Sequence, residues 1–523
     1  MCDDLSGNHL QRASEDPDGQ PLTRCQAFGF ILLHMVNMSE TRELPCIIQG
    51  GMGIAVSNWR LARAVSAAGQ LGVVSGTAID GVLVRRLQDG DVGGSARRAM
   101  ARFPVPDVSD YVLRRFFRPD GRATGTPYAL LPMYRQRVSV LRQQITMLAA
   151  FVEVTLAKEG HDGMVGMNLL TKVQMPTLAT LYGAMLAGVH VVLMGAGIPR
   201  EIPGALDALA RHETASLRFD IAGVAAATPE LLTFDPRAHF SGASAPLDRP
   251  LFFPIVSAAS LAQTLARKSN GRVDGFIVEG PTAGGHNAPP RGAMKLSDEG
   301  EPIYGERDVV DLATMREIGL PFYLAGGTGS PEGLVAALAQ GAAGIQVGTL
   351  FAYADESGFA DEIKRDVLHA AIDGGVRVWT DALASPTGYP FKVVRTGDAP
   401  GAPTPRARIC DLGYLRVAVR SAEGKMVYRC PSEPIDQYVA KGGAIEDTAG
   451  RQCLCNALFA CIGQGQARAG GLVEPAIVTS GDDAQQLSRF TRGRTAYAAH
   501  DVLAWLLRED PAQLTGAPST PAL

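Results

Sequence analysis

Four glycine-rich segments hold the residues best suited to chemistry. They are Gln49-Gly50-Gly51-Met52-Gly53, Glu279-Gly280-Pro281-Thr282-Ala283-Gly284-Gly285-His286, Ala325-Gly326-Gly327-Thr328-Gly329 and Gln346-Val347-Gly348-Thr349. Backbone without side chains lets amide N–H groups approach an anion closely. A helix starting just after such a loop adds its positive end. Gly326, Gly327, Gly348 and Thr349 therefore read as a phosphate cradle. His286 follows a Gly-Gly pair, where an imidazole can take a proton from a substrate or donate a hydrogen bond to it. The other reading is a loop histidine packed under an adjoining segment. Asn287, Arg291 and Lys295 either orient an anionic substrate or are simply solvated. Lys172 is placed to reach the rim of the site, and Tyr304 to cover it as a lid.

A second set lies far downstream. Cys410, Cys430, Cys453 and Cys455 follow the spacing C-x19-C-x22-C-x-C, and Cys461 comes next. Four thiolates suffice for zinc or an iron–sulfur cluster. Buried reduced cysteine is the alternative, since a free thiol packs as a small hydrophobe. Eight cysteines in 523 residues are too sparse for a disulfide scaffold. A reducing cytoplasmic location is the matching expectation.

These residues need elements to hold them. Eight short apolar runs alternate with helical stretches: Cys46–Gln49, Leu71–Ser75, Val165–Leu170, Val191–Met194, Leu251–Val256, Gly275–Val278, Pro321–Leu324 and Gly344–Val347. Apolar residues along the whole run are the mark of strands buried on both faces. Helices are expected at Asn58–Ala68, Pro176–Leu186, Arg200–Ala210, Ser257–Lys268, Asp308–Glu317 and Pro331–Gln340. The pattern predicts an α/β fold, a (β/α)8 TIM barrel, with the glycine-rich loops at the strand ends where barrel active sites sit. An open doubly wound sheet is the rival, but it normally has fewer strands and an early nucleotide loop. The barrel is expected over residues 45–375, after an N-terminal segment 1–44. Residues 1–37 read as a possible non-native start, with Met38 as the alternative first residue.

Two insertions interrupt the barrel, at 81–163 and 213–250. The first, a helical insertion after strand 2, reads as long helical segments over Leu131–Lys158. It holds ten arginines between residues 97 and 142: Arg97, Arg98, Arg102, Arg114, Arg115, Arg118, Arg122, Arg135, Arg137 and Arg142. They make either a solvated cap face or a docking surface for an acidic partner or an anionic substrate. Residues 376–523 form a C-terminal extension. Within it Asp381–Arg408 reads as a linker or wrapping arm, and Ala496–Leu507 as a helix. His161-Asp162-Gly163 precedes the third strand, on the stability side of a barrel, and reads as structural.

Composition removes other classes. Hydrophobic residues at 46% and charged residues at 20% exclude bulk disorder. A net charge of −4 argues against nucleic-acid binding by bulk charge. There is no run of 18 apolar residues, so no membrane span is expected. A homo-oligomer acting on a small molecule is the expected working form.

The ordered set of loop motifs resembles the nitronate monooxygenase superfamily, formerly the 2-nitropropane dioxygenases, which includes FMN-dependent trans-acting enoyl reductases. The resemblance covers roughly residues 45–360. It implies an FMN-binding barrel with Gly51 and Met52 against the flavin ring and Asn168 hydrogen-bonded to it. Glu279, Gly284 and Gly285 would line the ribityl side, and Gly326, Gly327, Gly348 and Thr349 would hold the phosphate. His286 matches the position of a catalytic base in nitronate monooxygenases. The implied activity is oxidation of an activated carbon acid, such as an alkyl nitronate, with oxygen. The alternative is an FMN- and NAD(P)H-dependent enoyl reductase acting on a carrier- or CoA-bound acyl chain, with the arginine-rich insertion as the docking face for an acidic acyl carrier protein. A flavin-binding scaffold with little activity of its own is a third reading. Pro281, Thr282 and Pro289-Pro290-Arg291-Gly292 depart from the compact members, as do the insertion and the long tail.

Overall fold

The computed structural model describes residues 44–223, 230–240, 245–396 and 406–509. The expectations for residues 1–37 and Met38 lie outside them. The chain divides into a unit Met1–Cys46 and a unit Ile47–Leu523. All that follows concerns the second.

Eight parallel strands close into a barrel: β1 (Ile47–Gln49), β2 (Leu71–Ser75), β3 (Val165–Leu170), β4 (Val191–Gly195), β5 (Leu251–Val256), β6 (Phe276–Glu279), β7 (Phe322–Ala325) and β8 (Gly344–Val347). Each pairs with its sequence neighbour. β1 closes the ring by pairing with both β8, Ile47 opposite Ile345, and β2, Ile48 opposite Leu71. The open doubly wound sheet is thereby excluded. Every residue of β2 and of β4 is buried, which is why these strands read as unbroken apolar runs rather than alternating ones.

Helices follow the strands and start where the sequence supplies caps. Asn58 accepts the N–H groups of Arg60 and Leu61 at 2.8 and 3.1 Å, opening Trp59–Ala67. Ser330 caps Pro331–Ala339, with proline at its first position. Both are standard ways of satisfying orphaned N-terminal donors.

The first insertion differs from expectation. Leu131–Lys158 is not helical throughout. Only Val140–Ala157 is, capped by Ser139, because the chain from Pro127 to Arg135 runs without regular structure through Pro132. This apolar helix packs on Trp59–Ala67 and on Thr177–Leu186, so it works as the barrel's own covering layer. By length and composition it could cross a membrane, but 78% of its apolar window is buried inside the protein. Arg142 leaves the arginine face altogether. It is buried in an ion pair with Asp80 at 2.6 Å. Arg97, Arg98 and Arg122 also pair internally, with Asp91, Glu159 and Asp89.

The described part of the tail is more ordered than a linker; residues 397–405 of the expected linker lie outside the described residues. Val376–Asp381 and Phe391–Thr396 form an antiparallel pair. A second hairpin, Val417–Arg420 with Met426–Arg429, takes Ile221–Ala222 of the 213–250 insertion as its third strand. That insertion's other pair is Ala215–Arg218 with Leu231–Phe234. The expected final helix is present as Ala499–Leu507. Tyr414, Cys453, Cys455 and Phe459 bury themselves against Ile54, Ala78 and Val82, so the tail packs directly over the β1 and β2 ends. His161 is structural, as expected: its ring accepts the Gly163 N–H at 3.1 Å and meets the Ala157 carbonyl at 2.8 Å.

Candidate active site

The strand ends surround a cavity of about 360 Å³. Gln49, Ser57 and the backbone fix its floor. Ser57 Oγ donates to the Gly50 carbonyl at 2.9 Å and accepts from the Met52 N–H and from Gln49 Nε2, both at 2.9 Å. The loop Gly50–Met52 is thereby held flat against the barrel mouth. Gly51 is required there: a Cβ would lie 2.1 Å from Asn168 Cβ.

Asn168 of β3 and Gln346 of β8 line this cavity, and each carries a buried amide oxygen with no hydrogen-bond partner, Asn168 Oδ1 and Gln346 Oε1. A buried amide oxygen left unpaired costs about 1–3 kcal/mol. Oxidised FMN offers one ring N–H, enough for one of these oxygens, and ring carbonyls and nitrogens as acceptors for side-chain amide N–H groups, so the pair Asn168 and Gln346 fits the polar edge of such a ring beside the glycine-floored slot.

At the other end, Gly326 and Gly327 have φ of +88° and +72°, a left-handed backbone that favours glycine. A Cβ on Gly326 would lie 2.7 Å from the Ala283 nitrogen. Gly326, Gly348 and Thr349 line the cavity, and Gly327 adjoins it without lining it. The tail completes this end. Gly481 donates its N–H to Thr349 Oγ1 at 3.0 Å, Gly285 donates to Thr479 Oγ1 at 2.9 Å, and Asp482 donates to the Thr282 carbonyl at 2.9 Å. Asp483 accepts the Gly329 N–H at 3.3 Å, and burial pushes its carboxyl up.

Glu279 ends β6 and faces the cavity. Burial raises its pKa from 4.5 to about 8, so at neutral pH it is a neutral acid able to donate a hydrogen bond. His286 sits within hydrogen-bond reach of Ser385, Nε2 to Oγ 2.7 Å. Ser385 in turn meets Thr387 Oγ1 at 2.8 Å. The imidazole packs edge-on against Phe391, with ring centres 4.9 Å apart, and near Tyr389 at 6.4 Å. Burial first, and then the Lys172 charge, lower its pKa to about 4. The ring is therefore neutral at neutral pH. Lys172 stands with its ammonium 4.4 Å from the Tyr389 ring centre.

Cavity and tail thus gather Met52, Asn168, Glu279, Gly284, Gly285 and His286 as one group. Asn287 turns inward to bond the Ala283 carbonyl at 2.9 Å, and Tyr304 bonds the Ala288 carbonyl at 3.0 Å. Arg291 is held by the Arg307 and Ser257 carbonyls. Lys295 is exposed. None of these four lines the cavity. Sequence reasoning missed Ser385, which bonds His286, and among the cavity-lining residues Tyr389, Phe391 and the tail wall of Tyr414, Leu415, Leu454, Leu458 and Thr479–Gly481; Cys455, expected as a metal ligand, lines the cavity instead. Ser385 lies in Ser385-Pro386-Thr387-Gly388, a composition that signals a turn and nothing about catalysis.

The expected metal site is not formed. Among the described residues no group of three or more His, Cys, Asp or Glu is arranged to hold a metal ion. Cys410, Cys430, Cys453 and Cys455 do lie within electrostatic reach of one another. Burial keeps the Cys410, Cys430 and Cys461 thiols protonated, each raised to about 12.

Residues 229–384 match the family model described as nitronate monooxygenase. The match spans β5 to β8 and contains Glu279 and His286, and it ends one residue before Ser385. Over 143 residues the chain is 32% identical to a Mycobacterium tuberculosis (3aS,4S,5R,7aS)-5-hydroxy-7a-methyl-1-oxo-octahydro-1H-indene-4-carboxyl-CoA dehydrogenase, covering 27% of this chain and 35% of the relative. It is 35% identical over 114 residues to a probable nitronate monooxygenase of Staphylococcus saprophyticus, covering 22% and 30%. The chain thus spans about a third of the length of these curated relatives. Among solved structures, FabK from Thermotoga maritima aligns over 95% of this chain and 98% of its own at 17% identity and a TM-score of 0.43. A nitroalkane oxidase from Streptomyces ansochromogenes aligns over 90% and 97% at 17% identity and 0.41.

Proposed function

We infer that this chain, whose residues 229–384 match the nitronate monooxygenase family model, is an FMN-dependent oxidoreductase. Its proposed reaction is oxidation of an activated carbon acid of the alkyl nitronate kind, with oxygen as the final acceptor. The observation that carries the reading is the pair of side-chain amides, Asn168 and Gln346, that line one glycine-floored cavity with their oxygens unpartnered. FMN, when bound, supplies the two-electron redox chemistry.

The chain's own residues bind and orient. Asn168 and Gln346 would hydrogen-bond the polar edge of the ring, accepting its one N–H and donating amide N–H groups to its carbonyls or nitrogens, with Gly51 and Met52 lying against the ring face. Gly284, Gly285, Gly326, Gly327, Gly348 and Thr349 would hold the ribityl phosphate. Protonated Glu279 would donate to a ribityl or ring oxygen without adding negative charge. His286, neutral and anchored by Ser385, would hydrogen-bond the substrate's polar head. With a pKa near 4 it is a weak base at neutral pH, so holding an already ionised nitronate suits it better than removing a proton from carbon. The Lys172 ammonium favours such an anion electrostatically. Ile255, Leu415, Leu454 and Leu458 surround this head with apolar wall, which excludes water.

That apolar wall also favours a second reading, an FMN- and NAD(P)H-dependent enoyl reductase for a carrier- or CoA-bound acyl chain. Anaerobic stopped-flow absorbance of the FMN-loaded protein separates the two. Bleaching by an alkyl nitronate and none by NADPH or NADH supports the oxidase. Rapid bleaching by a nicotinamide overturns it in favour of the reductase.

A further inference from the structure

One carboxyl that lines the cavity has no role above. Asp483 belongs to the tail, yet it lines the same cavity as Gly326, Gly348 and Thr349. Its Oδ2 accepts the Gly329 N–H at 3.3 Å. Gly329 ends the loop 325–329, directly ahead of Ser330 and the helix Pro331–Ala339. The contact leaves no room for a side chain, since a Cβ on Gly329 would lie 2.8 Å from Asp483 Oδ2. It is not a helix cap, because Ser330 Oγ already accepts the Gly333 N–H at 2.9 Å. A carboxyl oxygen therefore sits on the glycine loop assigned above to the flavin phosphate.

The tail holds this carboxyl in place by contacts of its own. Gly481 donates its N–H to Thr349 Oγ1 at 3.0 Å, and a Cβ on Gly481 would lie 2.8 Å from the Thr282 carbonyl oxygen. Asp482 donates its N–H to that same carbonyl at 2.9 Å. The Asp482 carboxylate pairs with the Lys392 ammonium at 2.7 Å. Among the described residues no cation pairs with Asp483, and the charge that acts on it is the like charge of Asp482. Burial first, and also the Asp482 charge, push its carboxyl up, while the Gly329 N–H acts the other way. The two neighbouring acids thus differ: one is committed to a lysine, and the other stands in the cavity with a single backbone donor.

A phosphate monoester loses its second proton at about pH 6. Two anions on one small set of N–H donors repel each other, and one of them then keeps a proton. An ionised carboxylate on the loop opposes an incoming phosphate, whereas a carboxylic acid can donate a hydrogen bond to it. Glu279, the other acid lining the cavity, is already protonated at neutral pH. We propose that Asp483 is a cofactor-binding residue contributed by the tail, and that it accompanies the FMN phosphate as its neutral acid, so that FMN enters with uptake of one proton. The proton comes from the solvent and forms the O–H of Asp483. This rests on the flavin reading above and adds to it a residue from outside the barrel. The preference for FMN over riboflavin, which lacks the phosphate, then weakens as pH rises, by up to about tenfold per pH unit for one linked proton.

The test uses the full flavin-free chain, as wild type and as D483N, with FMN and riboflavin as the probes. Affinity is read from flavin fluorescence between about pH 5.5 and pH 7, below the range in which Glu279, raised to about 8, ionises. Calorimetry at pH 7 in two buffers of different ionisation heat counts the protons taken up. The wild type should take up nearly one proton more per FMN than D483N. D483N should bind FMN about tenfold or more tighter at pH 7, with a flatter pH dependence, and both proteins should bind riboflavin equally. D483S repeats the comparison should D483N not fold. Equal proton uptake in the two proteins places the proton on the phosphate and overturns the proposal, while the flavin reading stands. Weaker FMN binding by both variants overturns it too, since the carboxylate would then only anchor the loop. Failure of both flavins to bind the wild type overturns the flavin reading, and this proposal with it.

Discussion

Glu279→Gln gives the sharpest stability test. The carboxyl is raised from 4.5 to about 8 by burial. Between these values the unfolded chain has lost this proton and the folded chain has kept it. The folded state binds more protons there, so stability falls as pH rises from about 4.5 and levels off above about 8. Over the whole window the cost reaches roughly 5 kcal/mol as an upper bound, at 1.36 kcal/mol per pH unit. Glutamine has nearly the same shape and no titration. Urea midpoints of the flavin-free chain, measured from pH 5 to 9, should converge for the two proteins near pH 5. E279Q should be the more stable by several kcal/mol at pH 8. FMN affinity should fall above pH 8 in the wild type, where a carboxylate would share the cavity with the phosphate, and stay flatter in E279Q. A stability difference that does not change with pH would refute the reasoning.

Other consequences follow from particular contacts. Ser385→Ala removes the 2.7 Å partner of His286. It should lower turnover by about tenfold or more, from roughly 1–3 kcal/mol of lost positioning, with FMN affinity unchanged; equal turnover in steady-state assays would remove Ser385 from the site. His286→Asn should reduce turnover strongly while leaving FMN bound, read by assay and by flavin absorbance. Asp80→Asn leaves Arg142 buried without its charge partner and weakens the bond from Tyr414 in the tail. It should cost about 3–5 kcal/mol in denaturant unfolding. Asn58→Ala should cost about 1 kcal/mol by removing a helix cap, checked by thermal unfolding.

Much of the barrel was legible because burial on both faces leaves a plain mark. Leu71–Ser75 is apolar throughout for that reason, and it is a strand with these bounds in the structure. The loops were legible because glycine is needed where backbones meet, as at Gly51 and Gly326. What stayed hidden is held by long-range contact. His286 and Ser385 are 99 residues apart, and nothing local in a Ser-Pro-Thr-Gly turn announces an imidazole partner. The tail wall has the same character. Gly481 meets Thr349 across 132 residues, and the segment around it carries no periodicity. Arg142 misleads for a related reason. Its type suggests a solvated face, and only the fold brings it to Asp80. The cysteines were legible as a group by spacing, but their spacing says nothing about whether the donors share one ion.

The central claim is that the cavity holds one flavin through Asn168 and Gln346. Its most direct test is titration of the flavin-free chain with FMN, following quenching of flavin fluorescence, in the wild type and in N168L and Q346L. One FMN per wild-type chain, with affinity lowered about fivefold or more in each variant from the loss of a hydrogen bond worth about 1–3 kcal/mol, is the result predicted. Absence of binding in the wild type, or equal affinity in all three proteins, would contradict it.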